Sequence, residues 1–394
     1  MEKRIYARTG EAVSLLGYGT MRLPKTPEEK IDFPAALRLI DAAYQNGVNY
    51  FDTAYMYHAG ESELLVGEAL SRYPRESFFL ADKLPGWMCG ENGLEGAKKI
   101  FADQLSKCRT TYFDFYLCHS LNNQKDFERL YLEGGVLAYL EEEQKAGRIR
   151  NLGFSFHGNP AFFKFLMELR KWDFCQIQCN YFDWDNQNAK ELYRLSEEYG
   201  VQLMIMEPVR GGGLVSLCDE AVSILKEAEP EKSTASWAIR FAASLPNVLC
   251  VLSGMSNLEQ VEDNLATMNS FVPLSYAERA VLSRAVEAYA RKGTVPCTGC
   301  RYCFECPKQI AIPDIFAFYN EIAAAGKLPF SVGIAPEELE ARKKAFLAAY
   351  ERIPAEARPE NCIRCKKCME HCPQQIRIPD RLAEIARLAE ICRS

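Results

Sequence analysis

Short apolar runs alternate with amphipathic segments over residues 14–270, and this pattern restricts the possible folds more than any other part of the sequence. Eight runs have the length and composition of strands, and several of the intervening segments end in a glycine, as helices commonly do. The runs lie at residues 14–21, 48–52, 78–82, 113–119, 149–155, 175–180, 202–207 and 248–254. Eight strand and helix repeats in this length predict an α/β fold, a (β/α)8 TIM barrel with a parallel sheet. A doubly wound open sheet is the alternative, but the first strand-to-helix turn lacks its glycine fingerprint.

Two segments flank the repeats. Residues 4–17 are expected to form a short hairpin that closes the bottom of the barrel, and residues 274–293 a further helix. The composition changes at "TVPCTGC", where we expect the barrel domain, residues 1–290, to end.

The charge and hydropathy of the chain exclude some classes of partner. A net charge of -6 gives no electrostatic reason to expect nucleic acid. The N-terminus has no secretory pattern, and we find no apolar run of about 18 residues or more, so no membrane partner is expected. The sequence therefore predicts a cytoplasmic protein.

Polar side chains end three consecutive predicted strands. These residues are Asp52, Lys83 and His119, and Tyr57 follows Asp52 by one loop turn. Each has an ordinary explanation alone: a helix cap, a surface lysine, a half-buried histidine. Because the carboxyl ends of barrel strands share one mouth, we expect the four side chains to meet there.

Such a set has a chemical use. A free tyrosine hydroxyl is too weak an acid to donate protons well near neutral pH. A nearby lysine ammonium would lower the pKa of the phenol, a buried carboxylate would keep the lysine charged, and a histidine could orient a substrate oxygen. This arrangement suits carbonyl reduction, in which carbon receives a hydride and oxygen a proton.

The sequences around these residues, "FDTAYMY", "ADKLP" and "FDFYLCHS", resemble the aldo-keto reductases over about residues 1–290. Members of that family carry an Asp, Tyr, Lys and His tetrad in this order on a TIM barrel. The resemblance implies an oxidoreductase in which Tyr57 is the general acid, Asp52 and Lys83 tune it, and His119 orients the substrate. Trp87, Met88 and Phe182 are candidates for apolar pocket walls.

The same resemblance implies a nicotinamide site. Ser155 and Gln176 match the side chains that bind the carboxamide, and the glycine-rich "RGGGL" stretch could approach the pyrophosphate. The implied cofactor contacts are Gly19, Thr20, Met21, Ser155, Gln176, Met206, Arg210, Gly212, Gly254, Gln260, Asp263 and Asn264.

This sequence departs from the family at two places. Met206 stands where a tyrosine usually stacks on the nicotinamide. Gly254 and Gln260 replace the Lys and Arg of strongly NADP-dependent members, and a 2'-phosphate needs cationic partners. We therefore expect NAD to be weakly preferred over NADP, and a flavin at the mouth stays an alternative.

The sixteen cysteines fall into two kinds. Eight are scattered or terminal, as small core residues commonly are, and eight form two groups after residue 296. The grouped cysteines are Cys297, Cys300, Cys303, Cys306, Cys362, Cys365, Cys368 and Cys372. The second group has the C-x2-C-x2-C-x3-C-P spacing of bacterial ferredoxins, and the first is one residue shorter. Zinc is the alternative metal, but zinc sites rarely use a third cysteine at a second C-x2-C spacing or end in a Cys-Pro pair.

We therefore predict two [4Fe-4S] clusters in a small, mainly helical, ferredoxin-like domain at residues 291–394. The stretches "CPKQIAIPD" and "CPQQIRIPD" agree at seven of nine positions, so the domain contains an internal repeat. The two-cluster precedent predicts crossed ligation, in which Cys372 completes the first group and Cys306 the second.

The combination leaves three interpretations open. The first is a reductase of a carbonyl or related small molecule, coupled to the clusters, with a redox protein as a further partner. The second is an electron-transfer protein whose barrel is a docking module. In the third, the clusters only stabilise the fold. A hydride carries two electrons and a cubane normally one, so coupling would need a flavin or a substrate that accepts electrons singly.

Overall fold

The computed structural model describes residues 1–303, 305–330 and 333–393. The chain forms two compact units, Met1–Pro208 with Ala235–Leu274, and Val209–Thr234 with Ser275–Ser394. The first contains the predicted strands and the second contains the grouped cysteines. The boundary at residue 290 stays a prediction.

The first unit begins with the expected hairpin and continues into the expected barrel. Strands β1 (Lys3–Ile5) and β2 (Ala12–Ser14) pair antiparallel. The eight parallel strands that follow close on one another in chain order, with the last beside the first. They are β3 (Leu16–Gly19), β4 (Tyr50–Asp52), β5 (Phe79–Leu84), β6 (Phe113–Leu121), β7 (Ile149–Phe156), β8 (Phe174–Gln178), β9 (Leu203–Met206) and β10 (Val248–Ser253). The (β/α)8 prediction is confirmed.

Helices follow most of the strands. In chain order the α-helices are α1 (Phe33–Gln45), α2 (Glu61–Leu70), α3 (Gly93–Lys107), α4 (Gln124–Phe127), α5 (Val136–Lys145), α6 (Pro160–Leu169), α7 (Asp183–Asn186), α8 (Ala189–Glu198), α9 (Asp219–Ala228), α10 (Thr234–Ala243), α11 (Leu258–Asn269), α12 (Tyr276–Ala290), α13 (Ile312–Ala324), α14 (Pro336–Glu351), α15 (Lys367–Glu370) and α16 (Ile378–Arg393). Short 3-10 turns lie at Thr20–Arg22, Tyr57–Gly60, Arg75–Ser77, Gly86–Met88, Arg210–Gly212, Ala355–Ala357 and Pro359–Asn361, and a π-helical turn at Glu128–Glu133. None of the helices in the described ranges is long and apolar enough to cross a membrane.

Aromatic side chains fill the barrel below the mouth. The Phe115 ring lies 5.0 Å from Phe174 and 5.1 Å from Tyr50, measured between centroids. Tyr6, just after β1, closes the bottom with its ring 5.4 Å from Phe115. Gly153 leaves room for this packing, because a Cβ there would lie 2.5 Å from the Phe174 carbonyl oxygen. The packed interior fixes the strand ends above it.

The second unit is mainly helical, as predicted. Helix α9 packs on α12, and an ion pair of 2.6 Å joins Arg291 to Glu220 beside them. Helices α13, α14 and α16 enclose an apolar core that includes Phe316, Phe346 and Leu382. Six of the eight grouped cysteines pack against or within this core.

The backbone of the second unit repeats along with its sequence. In each cysteine loop the residues two and four positions after the first cysteine have positive φ, Gly299 and Arg301 in one loop and Arg364 and Lys366 in the other. The repeat continues after each Cys-Pro pair, where Gln309 and Gln375 both have φ of 50°. Each copy then enters a helix six residues after its cysteine, at Ile312 and Ile378. The sequence repeat is therefore also a repeat of local backbone conformation in the two cysteine loops.

Candidate active site and cysteine groups

Adjacent strands bring three of the four predicted catalytic residues to one end of the barrel. Asp52 is the last residue of β4, Lys83 lies near the end of β5, and His119 lies near the end of β6. Because β4, β5 and β6 pair in parallel register, their carboxyl ends share one edge. Tyr57 opens the 3-10 turn that follows β4. The structure thus brings the tetrad together.

Lys83 is the centre of this group. Its Nζ donates to Asp52 Oδ1 at 2.6 Å and to the Thr53 carbonyl oxygen at 2.6 Å, and it lies 3.4 Å from the Tyr57 hydroxyl. The Lys83 side chain has no exposed surface and that of Asp52 is 4% exposed. A buried ammonium needs such partners, since an unpaired charge in this environment would be very costly.

Burial dominates the electrostatics of the site. It raises the pKa of Asp52, and the Lys83 ammonium acts against that rise. Burial also raises the pKa of Tyr57 well above its ordinary value, and the Asp52 carboxylate adds to the rise. Tyr57 is therefore a protonated phenol at neutral pH.

His119 completes the group as a neutral imidazole. Burial lowers its pKa well below the ordinary value, and Lys83 strengthens the effect. Its ring lies 6.1 Å from the Tyr57 ring and 5.4 Å from the Trp87 ring. Trp87 thus contacts a member of the tetrad, whereas Met88 is 46% exposed, and their roles as pocket walls stay predictions. A neutral imidazole can donate a hydrogen bond to a carbonyl oxygen without competing for the proton of Tyr57.

The two residues predicted to bind the carboxamide of a nicotinamide lie side by side. Ser155 of β7 pairs with Gln176 of β8 in the sheet register. The Ser155 hydroxyl oxygen accepts from the Ser120 N–H at 2.7 Å, and Gln176 Nε2 lies 3.5 Å from the Met206 sulfur. The Gln176 Oε1 atom is buried without a hydrogen-bond partner. A buried carbonyl oxygen without a donor fits the amide N–H group of a nicotinamide.

The other predicted cofactor contacts in the barrel unit follow β3 and β10. Gly19 ends β3, and Thr20 and Met21 form the 3-10 turn beside it. Gly254 follows β10, and Gln260, Asp263 and Asn264 lie on α11. Strands β3 and β10 are neighbours, so these segments share one side of the mouth.

The side chains on α11 are held in place. Gln260 Oε1 accepts from the Ser256 N–H at 2.7 Å, and Asn264 Nδ2 donates to the Ser253 hydroxyl at 2.9 Å. Arg210 and Gly212 belong to the second unit, in a turn where Gly211 and Gly212 have φ of 65° and 94°.

The grouped cysteines fall into two sets, and within each set the thiols affect one another's pKa. Burial raises the pKa of the Cys303 thiol to about 12, and repulsion from Cys300, Cys297 and Cys372 adds to the rise. Burial likewise raises the pKa of Cys368 to about 11, with contributions from Cys362, Cys306 and Cys365. Each set therefore contains three cysteines of one loop and the Cys-Pro cysteine of the other.

The cysteine loops also offer backbone donors. The Gly299 N–H donates to the Cys297 sulfur at 3.4 Å, and N–H groups of residues 374–376 lower the pKa of Cys372 against the effect of burial. Alternating positive φ turns N–H groups inward, a geometry that binds anionic clusters. Within the described ranges, no three Cys, His, Asp or Glu side chains converge as ligands of one ion. The two cysteine sets are therefore defined by the electrostatic interactions among their thiols and by these backbone donors.

Comparison with known families assigns both parts of the chain. Residues 15–286 match the aldo/keto reductase family. This chain belongs to the aldo/keto reductase family. Residues 296–387 match a 4Fe-4S dicluster domain. The protein is therefore an oxidoreductase of the aldo/keto reductase type with a 4Fe-4S domain, as the sequence predicted.

Relatives of this aldo/keto reductase match its barrel part. The uncharacterized oxidoreductase YqkF of Bacillus subtilis is 25% identical over 301 residues, covering 68% of this chain and 92% of YqkF. The NADH-specific methylglyoxal reductase of Escherichia coli is 23% identical, covering 74% of this chain and all of that protein. The solved holo structure of aldo-keto reductase AKR11C1 from Bacillus halodurans is 25% identical, with a TM-score of 0.61 and coverage of 72% of this chain and 96% of its own.

Sequence reasoning missed several residues of this reductase site. The Tyr131 hydroxyl accepts from the N–H groups of Gly86 and His119 and donates to the Leu84 carbonyl oxygen at 2.7 Å. It therefore fixes the ends of β5 and β6. No strand-end rule could find Tyr131, because it lies in the π-helical turn after β6.

Charged residues near Tyr57 were also missed. Arg22 pairs with Glu207 at 3.1 Å, and Glu207 raises the pKa of Tyr57 while Arg22 lowers it. The buried carboxyl groups of Asp82, in β5, and Glu63, in α2, also interact, and burial raises the pKa of Asp82 well above its ordinary value. A charged residue directly beside Lys83 in the sequence was the available signal.

Proposed function

We propose that the protein reduces a small carbonyl substrate with Tyr57 as the proton donor, and that its activity is coupled to two [4Fe-4S] clusters. The observation that supports this most is the position of Lys83 Nζ, 2.6 Å from Asp52 Oδ1 and 3.4 Å from the Tyr57 hydroxyl. A phenol, a paired ammonium and a neutral imidazole at one barrel mouth are the parts that protonation of a carbonyl oxygen requires.

The residues divide the work as follows. His119 donates a hydrogen bond to the substrate oxygen and directs it toward Tyr57. As negative charge develops on that oxygen, Tyr57 transfers its proton, and the Lys83 ammonium stabilises the phenolate that remains. Asp52 keeps Lys83 charged in the buried site. Trp87, packed on His119, excludes water from one side.

Ser155, Gln176, Met206 and the turn at Thr20–Arg22 would hold a nicotinamide, which supplies the hydride. The orphaned Gln176 oxygen and the small residues Gly19 and Gly254 fit such a ring and its chain. We propose NADH as the preferred donor, because Gln260 and Gly254 provide no cation for a 2'-phosphate. One relative carries the name NADH-specific methylglyoxal reductase, which makes methylglyoxal the first substrate to assay.

The cysteine sets support two clusters with crossed ligation. Cys297, Cys300, Cys303 and Cys372 would hold one cluster, and Cys362, Cys365, Cys368 and Cys306 the other. Since hydride chemistry moves electron pairs and a cubane passes single electrons, coupling requires a flavin or a substrate that accepts electrons singly.

The test compares Tyr57→Phe with the wild-type protein, both purified without oxygen and loaded with iron. We expect wild-type protein to oxidise NADH with methylglyoxal or another aldehyde, and Tyr57→Phe to lose this activity while its fold and iron content stay unchanged. Full activity in Tyr57→Phe would refute the role of Tyr57. Absence of carbonyl reduction by wild-type protein with either nicotinamide would favour a barrel that serves as a docking module.

A further inference from the structure

The C-terminal segment that carries the second cysteine loop is basic, although the chain as a whole is acidic. Residues 362–393 contain seven Lys and Arg and four Asp and Glu, a net charge of +3, against -6 for the whole chain. The segment is one part of the second unit. Its charge is therefore a local feature with a sign opposite to that of the protein.

Several of these cations are not neutralised by neighbours. Lys366 and Lys367 directly follow Cys365 in the second loop, and all three are exposed. The side chains of Lys366, Lys367 and Arg387 form no ion pair or hydrogen bond with any part of the chain that the structure describes. Free surface cations beside a cysteine loop are available to a partner, whereas paired ones are not.

An apolar residue and a groove lie within this charged region. Ile363, between Cys362 and Cys365, is 57% exposed. A groove of about 660 Å³ lies beside α16, and it is lined by Cys362, by the cations Arg364, Arg387 and Arg393, and by the carboxylates Glu360 and Glu390, among others. Cations outnumber carboxylates in this lining, and an exposed apolar side chain beside charged ones is a combination that protein interfaces use.

The two cysteine sets differ in their access to the surface. Cys365 is exposed, whereas Cys297, Cys300 and Cys303 are all partly buried. Arg301 of the first loop is engaged by Asp314 at 3.1 Å. Electron transfer between proteins falls steeply with distance, so the set with an exposed ligand is the better point of exchange.

We propose that the surface formed by Ile363, Cys365, Lys366, Lys367 and Arg387 docks an acidic one-electron carrier protein. This Cys365 surface would place the carrier against the cluster held by the second set, and the inference rests on the clusters of the proposed function. In the exchange, the reduced carrier loses one electron and the cluster gains one, with no bond or proton transferred. Charge complementarity selects an acidic carrier, because the cations would speed its encounter and repel a basic one.

The test measures binding, so that it does not depend on carbonyl reduction. Iron-loaded full-length protein is mixed with an acidic plant-type ferredoxin, and the association rate and Kd are followed at low and high salt, with basic cytochrome c as the counter-probe. We expect binding of the ferredoxin that weakens with salt and no binding of cytochrome c. Equal affinity for both carriers, or no dependence on salt, would overturn the proposal.

Variants locate the site. Lys366→Glu/Lys367→Glu should slow association with ferredoxin about 10-fold or more, because steering by charge is reversed. Since these lysines lie between cysteine ligands, Arg387→Glu on α16 provides a second variant, with iron content measured for both. Lys145→Glu/Lys171→Glu, at exposed positions of the barrel unit, makes the same change in net charge and should leave binding unaltered. Equal loss in this control would refute a specific surface.

The proposed carbonyl reduction and the proposed docking surface can be refuted independently of each other. Normal iron content and salt-dependent binding without carbonyl reduction would refute the barrel chemistry and keep the docking surface. Carbonyl reduction with normal iron content and no carrier binding would do the reverse.

Discussion

The Nζ atom of Lys83 lies 2.6 Å from Oδ1 of Asp52, and both side chains are sealed from solvent. Each charge is stable there only because of the other. Lys83→Met should therefore remove carbonyl reduction and also lower the free energy of unfolding of the barrel by about 3–5 kcal/mol, because a buried carboxylate is left unpaired.

A double-mutant cycle separates these two effects. Lys83→Met/Asp52→Asn should recover much of the lost stability while carbonyl reduction stays absent. The four tryptophans all lie in the barrel unit, so tryptophan fluorescence in urea reports its unfolding alone. Additive losses in the double variant would show that the two charges do not depend on each other.

Crossed ligation predicts non-additive loss of iron. Cys306→Ala and Cys365→Ala should each remove one cluster, leaving about half of the iron. If both cysteines hold the same cluster, the double variant should also keep about half. A double variant that retains almost no iron would show uncrossed ligation, and Cys300→Ala/Cys372→Ala is the matched pair for the other set.

We expect the half-buried imidazole of His157 to make the folded protein less stable as the pH falls below about 6.5. Burial lowers its pKa to about 4, whereas an unfolded histidine has a pKa of about 6.5. The folded chain keeps the imidazole neutral while the unfolded chain binds a proton, so this stability is present above pH 6.5 and is lost as pH falls toward 4. Because the side chain is only half-buried, the loss is at most about 3 kcal/mol.

His157→Asn should therefore flatten the fall in stability between pH 6.5 and 4, followed by tryptophan fluorescence in urea. Buried carboxyl groups titrate alike in both proteins, so the difference between them reports His157 together with its effect on His119, whose pKa it helps to lower. Parallel curves for the two proteins would contradict the assignment.

Asp82 predicts a stabilising substitution. Its pKa is raised first by burial and then by Glu63, so ionisation of the pair at neutral pH opposes folding. Asp82→Asn should raise the free energy of unfolding at pH 7.5 by about 1–2 kcal/mol, because the amide can donate to Glu63 and still accept from the Lys83 N–H. Asp82→Ala, which leaves Glu63 without this partner, should be less stable than wild type. Destabilisation by Asp82→Asn would show that the charge of Asp82 is needed.

The uncharged side chain of Gln260 leads us to expect a preference for NADH over NADPH. Its side chain accepts from the Ser256 N–H and carries no charge that could pair with a 2'-phosphate. Gln260→Arg should lower the KM for NADPH about 10-fold relative to NADH, since guanidinium and phosphate form charge-assisted hydrogen bonds. Gln260→Leu removes the same contact without adding charge and should not favour NADPH. An unchanged preference in Gln260→Arg would place the adenosine end elsewhere.

Eight strands, the tetrad at their ends and the two cysteine groups could be predicted from the order of residues alone. These features depend on local patterns: apolar runs of strand length, the residue that follows each run, and the spacing of cysteines. A parallel barrel places every strand end at one mouth, so local order was sufficient to bring Asp52, Lys83 and His119 together.

The protonation states of the site and several of its residues could not be predicted from local sequence, because they depend on how distant segments pack together. Burial sets the protonation of Tyr57 and His119, and it depends on the whole barrel around them. Tyr131 joins the site through a π-helical turn whose path no period in the sequence describes. Glu207 meets Arg22, and Glu63 meets Asp82, only because distant segments pack together. The approach of Cys372 to Cys303 and of Cys306 to Cys368, which the predicted crossed ligation requires, is likewise produced only when distant segments pack on one core.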